Sequence, residues 1–138
     1  MYPSCYNSQP LRWSSALMVH ILIVEDDADV QTVVSEFLVT LGHRVTSVSS
    51  AERARALLAS EAVDLALIDC VMGGEQGNSL AEHAASLGIR TILTSGAPQH
   101  IETSSEFPFP FLPKPFRLTS LDALIASTLD KSGTNRSR

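Results

Sequence analysis

The sequence predicts a doubly wound α/β domain, a five-stranded parallel sheet with helices on both faces. Two patterns point there. Short runs of branched apolar residues alternate with segments whose apolar residues recur at helical spacing. Five such strand–helix units in one chain argue for a parallel sheet joined by right-handed crossovers. A third observation concerns chemistry: the charged and hydroxylic residues that leave the strands gather at one edge of that sheet.

The elements follow in order. Residues 1–18, containing Trp13, mix Pro, Ser, Asn and isolated aromatics without periodicity, and are expected to be a flexible lead outside the fold. Met18 is expected to be the natural start, with 1–17 an upstream extension. The domain proper is expected over 19–130. "HILIV" reads as a buried strand. Val30, Val33, Val34, Phe37, Leu38 and Leu41 then mark one helix face, and Gly42 ends it. "HRVTSV" is a more polar strand, suited to an edge. Ser49 and Glu52 have capping-box spacing before a short helix with Ala54, Leu57 and Leu58. "VDLALID" is a second buried strand. Gly77 to Leu87 is a modest helix closed by Gly88, and "RTILTS" is the next strand. Gly96 to Pro108 has little apolar face and should form a short or ragged helix. "FPFLP" is a last strand whose prolines suit an edge. Leu118, Leu121, Ile125 and Leu129 mark the final helix, and 131–138 should be a disordered tail.

Composition excludes several functions. The 138 residues amount to one domain, and 44% of them are hydrophobic, enough for a core. The net charge of −5 argues against direct nucleic-acid binding, which needs a basic face. Cys5 and Cys70 show no metal spacing and no disulfide framework, so a reducing, cytoplasmic setting is expected. No apolar run approaches the roughly 20 residues of a membrane span. His20, His43, His83 and His100 have no ligand spacing and are expected at surface or edge positions.

In sheets of this kind the functional crevice lies beyond the carboxyl ends of the strands. Strand one leaves into Glu25-Asp26-Asp27, strand three into Asp69, strand four into Thr94-Ser95, and strand five into Lys114-Pro115. Glu61 and Asp64 belong to the opposite edge. Asp27 is explained as the N-cap of the first helix, and Asp29 as a first-turn acid favourable to the helix dipole. The remaining acids need another reason. Two carboxylates about 5 Å apart repel by roughly 3 kcal/mol at an effective dielectric of 20. Either a proton is taken up or a hard cation binds, and carboxylate oxygens with water suit Mg²⁺. Acids, Mg²⁺, a hydroxyl and a lysine fit phosphoryl transfer. Asp69 would be the nucleophile, while Ser95 and Lys114 would bind the other phosphoryl oxygens.

The motifs "ILIVEDD", "LALIDCVM" followed by Gly77, "ILTSG" and "FLPKPF", in this order, resemble response-regulator receiver domains of two-component signalling. The resemblance covers Val19 to about Asp130. It implies a flavodoxin-like sheet of order 2-1-3-4-5. It makes Asp69 the phosphoacceptor and Asp26 a direct Mg²⁺ ligand, with Glu25 acting through water. The Val71 backbone carbonyl would complete the metal shell. Lys114 matches the family lysine, Pro115 the proline after it, often cis, and Phe111 the aromatic that turns inward on activation. The switch hydroxyl is Ser95, with Thr94 as the alternative. The phosphate source would be a histidine kinase or a phosphotransfer protein.

Departures from the family pattern carry consequences. Met72-Gly73 replaces the usual Met-Pro, so that loop is expected to be more mobile. The shortened fourth helix puts the usual output surface in doubt. Val71 and Ala97 have no side-chain hydrogen-bonding group to orient an attacking water, so self-dephosphorylation should be slow. With the chain ending at 138, output is expected through an unidentified protein partner, or the chain is a relay or an excised module. Two other readings compete. One is a phosphorylation-independent binding adaptor of the same fold. The other is a phosphohydrolase using Asp27-Ala28-Asp29.

Overall fold

The computed structural model describes residues 18–72, 75–96 and 109–136, with side chains omitted for 71, 72, 75, 76 and 131–136. The expected N-terminal lead, the Gly96–Pro108 helix beyond Gly96, His100 and Ala97 lie outside the described residues.

Five strands form one parallel sheet: β1 (His20–Val24), β2 (Arg44–Val48), β3 (Leu65–Asp69), β4 (Arg90–Ser95) and β5 (Phe111–Pro113). Their spatial order is β2-β1-β3-β4-β5, as expected. The polar strand β2 and the proline-bearing β5 are the two edges. Among the described residues, four helices connect or follow them: α1 (Ala28–Thr40), α2 (Ala51–Ser60), α3 (Gly77–Ser86) and α4 (Leu118–Arg136).

The central strands are buried on both faces, which is why they read as continuous apolar runs. Alternate residues separate into two cores. Leu22, Val24, Ala66, Ile68 and Leu93 pack with Ala54 and Leu58 of α2 and Leu80 and Ala84 of α3. Ile21, Ile23, Leu65, Leu67 and Ile92 pack with Val34 and Leu38 of α1 and Leu121 and Ile125 of α4. Burying each Val, Leu or Ile side chain among them contributes about 1.5–3 kcal/mol.

Helix ends follow from local chemistry. Asp27 is the N-cap of α1, accepting from the N–H groups of Asp29 and Val30 at 2.9 and 3.2 Å. The cap of α2 is Ser50 rather than Ser49, accepting from Arg53 N–H at 3.2 Å. The capping box therefore does not form; Glu52 is one residue too early for it and sits in the first turn as a dipole-favourable acid. Helices α1 and α3 end alike. Gly42 and Gly88 take φ of 101° and 83°, which only glycine adopts cheaply. His43 N–H and Ile89 N–H reach back to Leu38 O and Ala84 O, both at 3.1 Å.

This shared cap explains a correction. The residue after the capping glycine turns onto the helix's apolar face. Ile89 suits that place, but in α1 it is His43, which is buried with neither ring nitrogen hydrogen-bonded. Burial lowers its pKa, against the charge of Asp122. His20 is buried too, its ring held by Ala62 O at 2.8 Å and Thr46 Oγ1 at 2.9 Å. Both are buried, where surface or edge positions were expected. Val33 departs in the other direction: it is 53% exposed, beside an open groove of about 560 Å³ between α1 and Pro115-Phe116. The backbone of α4 continues past residue 130 to Arg136. No apolar residue follows Leu129 there, and a nucleated helix extends by one hydrogen bond per added residue.

Candidate functional site

The site is built where β1, β3, β4 and β5 end. Asp69 closes β3 and lies beside Thr94 of β4 in register. Two backbone bonds lock the strand ends together, Cys70 N–H to Thr94 O at 2.7 Å and Lys114 N–H to Ser95 O at 2.8 Å. On the other side Glu25 N–H reaches Val48 O of β2 at 3.0 Å.

These ends bring Glu25, Asp26 and Asp69 together. One carboxylate oxygen from each lies within 4.8 Å of the others. Glu25 and Asp69 are 4% and 7% exposed, whereas Asp26 faces solvent. The Lys114 ammonium bridges the two buried acids, 2.7 Å from Glu25 Oε1 and 3.2 Å from Asp69 Oδ2. The other Glu25 oxygen accepts Asp27 N–H at 3.1 Å. Burial raises the Glu25 carboxyl above its ordinary value; the Lys114 and Asp27 hydrogen bonds oppose this, and the Asp69 charge adds to it. Burial alone would lower Lys114, but Glu25 and Asp69 outweigh it and raise its pKa.

The oxygen-only donor set fits a hard divalent cation such as Mg²⁺. It is partly buried, with one ligand open to water. That suits an ion that keeps part of its hydration shell.

The remaining sequence-predicted residues are placed as follows. Val71 lies two residues past Asp69, in a short antiparallel ribbon of Val71–Met72 with Glu75–Gln76; residues 73–74 are outside the described set. Lys114-Pro115 is a cis peptide. Phe111 is half-buried against the α2/α3 core and paired with Leu93. Side chains alternate along a strand. Because Ile92 joins the α1/α4 core and Leu93 the α2/α3 core, Ser95 falls on the Phe111 face and Thr94 on the other. Cys70 is packed in the α2/α3 core, and burial together with the Asp69 charge pushes its thiol up to about 11. Asp27 is occupied as a helix cap and Asp29 is exposed in the first turn, an arrangement that leaves no place for a nucleophile pair on that motif.

Two contributors were not singled out as such by sequence reading. Gly77 N–H bonds Cys70 O at 2.8 Å, and a Cβ on Gly77 would overlap the Asp69 carbonyl oxygen. Only glycine lets α3 start this close to Asp69. Gln31, in α1, donates its amide to Glu25 O at 2.7 Å and Val48 O at 2.9 Å. A lone Gln in a helix carries no sequence signal for that role.

Comparison with known proteins agrees with this geometry. The family model described as the response regulator receiver domain matches residues 21–126. PetR of Rhodobacter capsulatus is 34% identical over 106 residues, covering 74% of this chain and 45% of its own. The DNA-binding transcriptional regulator NtrC of Azospirillum brasilense is 29% identical over 117 residues, covering 81% of this chain and 24% of its own. The chain thus spans less than half the length of these curated relatives. A CheY-like receiver domain protein of Methanospirillum hungatei superposes with a TM-score of 0.78 at 25% identity, over 86% of this chain and 98% of that one. No helix among the described residues is long and apolar enough to cross a membrane. With a receiver-domain match across most of its length and a sheet of the same order, this chain belongs to the response regulator receiver domain family.

Proposed function

We propose that the chain is the phosphoacceptor of a two-component phosphorelay, with Asp69 taking a phosphoryl group from a histidine kinase or a phosphotransfer protein. The convergence of Glu25, Asp26 and Asp69, with the Lys114 ammonium bridging Glu25 and Asp69, carries this reading. An Asp69 carboxylate oxygen attacks phosphorus, the bond from phosphorus to the donor's imidazole nitrogen breaks, and that nitrogen keeps the electron pair. Glu25, Asp26, Asp69 and the Val71 carbonyl would hold Mg²⁺, with Glu25 acting through water. Mg²⁺ would neutralise charge on the phosphoryl oxygens. Lys114 then exchanges an Asp69 carboxylate oxygen for a phosphoryl oxygen, and Ser95 donates its hydroxyl to another.

The phosphoryl group adds about −1.5 to −2 charge at Asp69. Ser95 closes on it, and Phe111, on the same face of the sheet, follows. The surface around β5 changes, and a protein partner reads it. Pro115 holds the turn that carries Lys114. Self-dephosphorylation is slow. No direct nucleic-acid contact and no membrane association enter this function, and the setting is cytoplasmic.

The test is intact mass after treatment with a small phosphodonor and Mg²⁺, for wild type and Asp69→Ala. One phosphoryl adduct is expected on wild type and none on the variant. No adduct on either would favour the phosphorylation-independent adaptor.

A further inference from the structure

We propose that His43 is an acid-sensitive latch at the corner between α1 and β2: neutral, it closes the corner as an apolar residue would, and protonated, it opens it. This is independent of the phosphoacceptor reading. His43 precedes β2 at the amino edge of the sheet, whereas Glu25, Asp26 and Asp69 meet at the carboxyl edge.

The molecule contains its own control. Helices α1 and α3 end in the same cap, with Gly42-His43 in one and Gly88-Ile89 in the other. The residue after the glycine turns back onto its helix, a place suited to an apolar side chain. Ile89 meets that demand against the α2/α3 core. His43 fills the equivalent place with an imidazole. It is 4% exposed, and neither ring nitrogen has a hydrogen-bond partner among the described residues. The other buried ring, that of His20, is bonded at both nitrogens. As a neutral ring His43 therefore does nothing that isoleucine would not do, and its unbonded nitrogens cost stability. What imidazole has and isoleucine lacks is a site that takes up a proton near neutral pH.

The surroundings decide which charge state fits. Burial disfavours the protonated ring and lowers its pKa from the ordinary 6.5; Asp122 of α4 opposes this and is outweighed. The other nearby elements set no charge against the ring. Arg44 of β2 alternates to the α2/α3 face and meets Glu61 there. His20 of β1 lies on that face too, beside Thr46. Asp29 and Glu36 of α1 are exposed. Arg90 shares the α1/α4 face, but its strand stands three places from β2 in the sheet order.

A protonated His43 is thus a buried cation with one counter-charge, carried by a different helix. Swinging the ring out to water relieves it and pulls on the cap. The N–H groups of Leu41, Gly42 and His43 all bond the last carbonyls of α1, so the ring and the helix end open together. Because the folded-state pKa is lowered, the stability held by neutral His43 is complete above about pH 6.5 and is lost as pH falls below it.

The experiment compares urea unfolding of the metal-free full chain at several pH values from 7.5 to 5, for wild type and His43→Ile. Taking the difference between the two cancels the other titrating groups, the raised Glu25 included. The folding equilibrium constant of the variant should rise relative to wild type by at least about threefold over that range. Amide exchange locates the effect. On acidification, protection at Leu41, Gly42 and His43 should fall further than protection in β3 in wild type, and should not do so in the variant. A pH-independent difference between the two proteins would overturn the proposal. Protection lost evenly across the sheet would overturn it as well, leaving His43 a buried ionisation without a latch. Should His43→Ile fail to fold, His43→Leu serves with the same expectation. The ring of folded wild type, followed by NMR, supplies a reading that needs no variant: it should ionise below pH 6.5, and ionisation at or above that value would sink the idea.

Discussion

The two ends of the sheet both carry acids, and they treat them differently. At the amino ends of the strands each acid meets a local partner. Asp64 accepts His20 N–H at 2.8 Å, and Glu61 makes an open contact with Arg44 at 3.4 Å. At the carboxyl ends three carboxylates are gathered within 4.8 Å, two of them buried and bridged by Lys114. The first arrangement closes the chemistry; the second concentrates negative charge where a cation can bind. Acid content alone does not mark a site. What marks it is acid density beyond what capping and local pairing explain.

The comparison can be broken at several points. The largest effect is expected at Gly77. Gly77→Ala drives a methyl into the Asp69 carbonyl oxygen and should cost about 3 kcal/mol in urea unfolding. Wild-type stability in that variant would mean that α3 can shift away at no cost.

Lys114→Ala comes next. It leaves Glu25 and Asp69 facing each other without their ammonium. In metal-free protein it should cost about 2 kcal/mol, less than the ~3–5 of a fully buried pair, because Lys114 keeps some contact with water. Added Mg²⁺ should recover part of the loss. A variant as stable as wild type without metal would show that the lysine does not offset the crowding of the acids.

A smaller effect separates the ends by pH. The folded-state pKa of Glu25 is raised, first by burial. Its contribution to stability is therefore complete below about pH 4.5 and is lost as pH rises through the raised value. In metal-free protein, Glu25→Gln should gain on wild type as pH goes from 4 to 7. A variant whose stability relative to wild type stays flat or falls over that range would contradict the assignment.

The smallest effects belong to the amino end. Asp64→Ala should cost about 1 kcal/mol, the worth of one hydrogen bond. Glu61→Ala should cost under about 0.5 kcal/mol, as for other exposed pairs. Neither should alter Mg²⁺ binding by more than twofold. A larger shift from either would mean that the two ends are coupled through β1 and β3.

Much of this was legible in the sequence, and the reasons differ by element. "HILIV" and "LALID" identify the central strands because burial on both faces removes polar residues from them. Gly42 and Gly88 mark helix ends because positive φ is costly for other residues. Acids, hydroxyls and a lysine at four strand ends converge because parallel strands share one carboxyl edge. Resemblance to the receiver family supplied the strand order and the roles expected of the individual residues. The α2 cap shifted by one because Ser49 and Ser50 both qualify as caps, and only the path of the chain chooses. His43 escaped because its place in the α1 cap, not its residue type, turns it inward.

What the sequence by itself determined is the architecture and the membership of the site. Alternation and helical spacing are local properties, and they dictate which residues end each strand. What only the tertiary structure decided is how those residues meet. Lys114 bridges Glu25 and Asp69 across sequence separations of 89 and 45 residues. Ser95 and Phe111 come to share one face, and Gln31 and Gly77 hold the backbone beside the acids. Such contacts depend on strand order and register. The packing of the whole sheet fixes these, and no short stretch of chain encodes them.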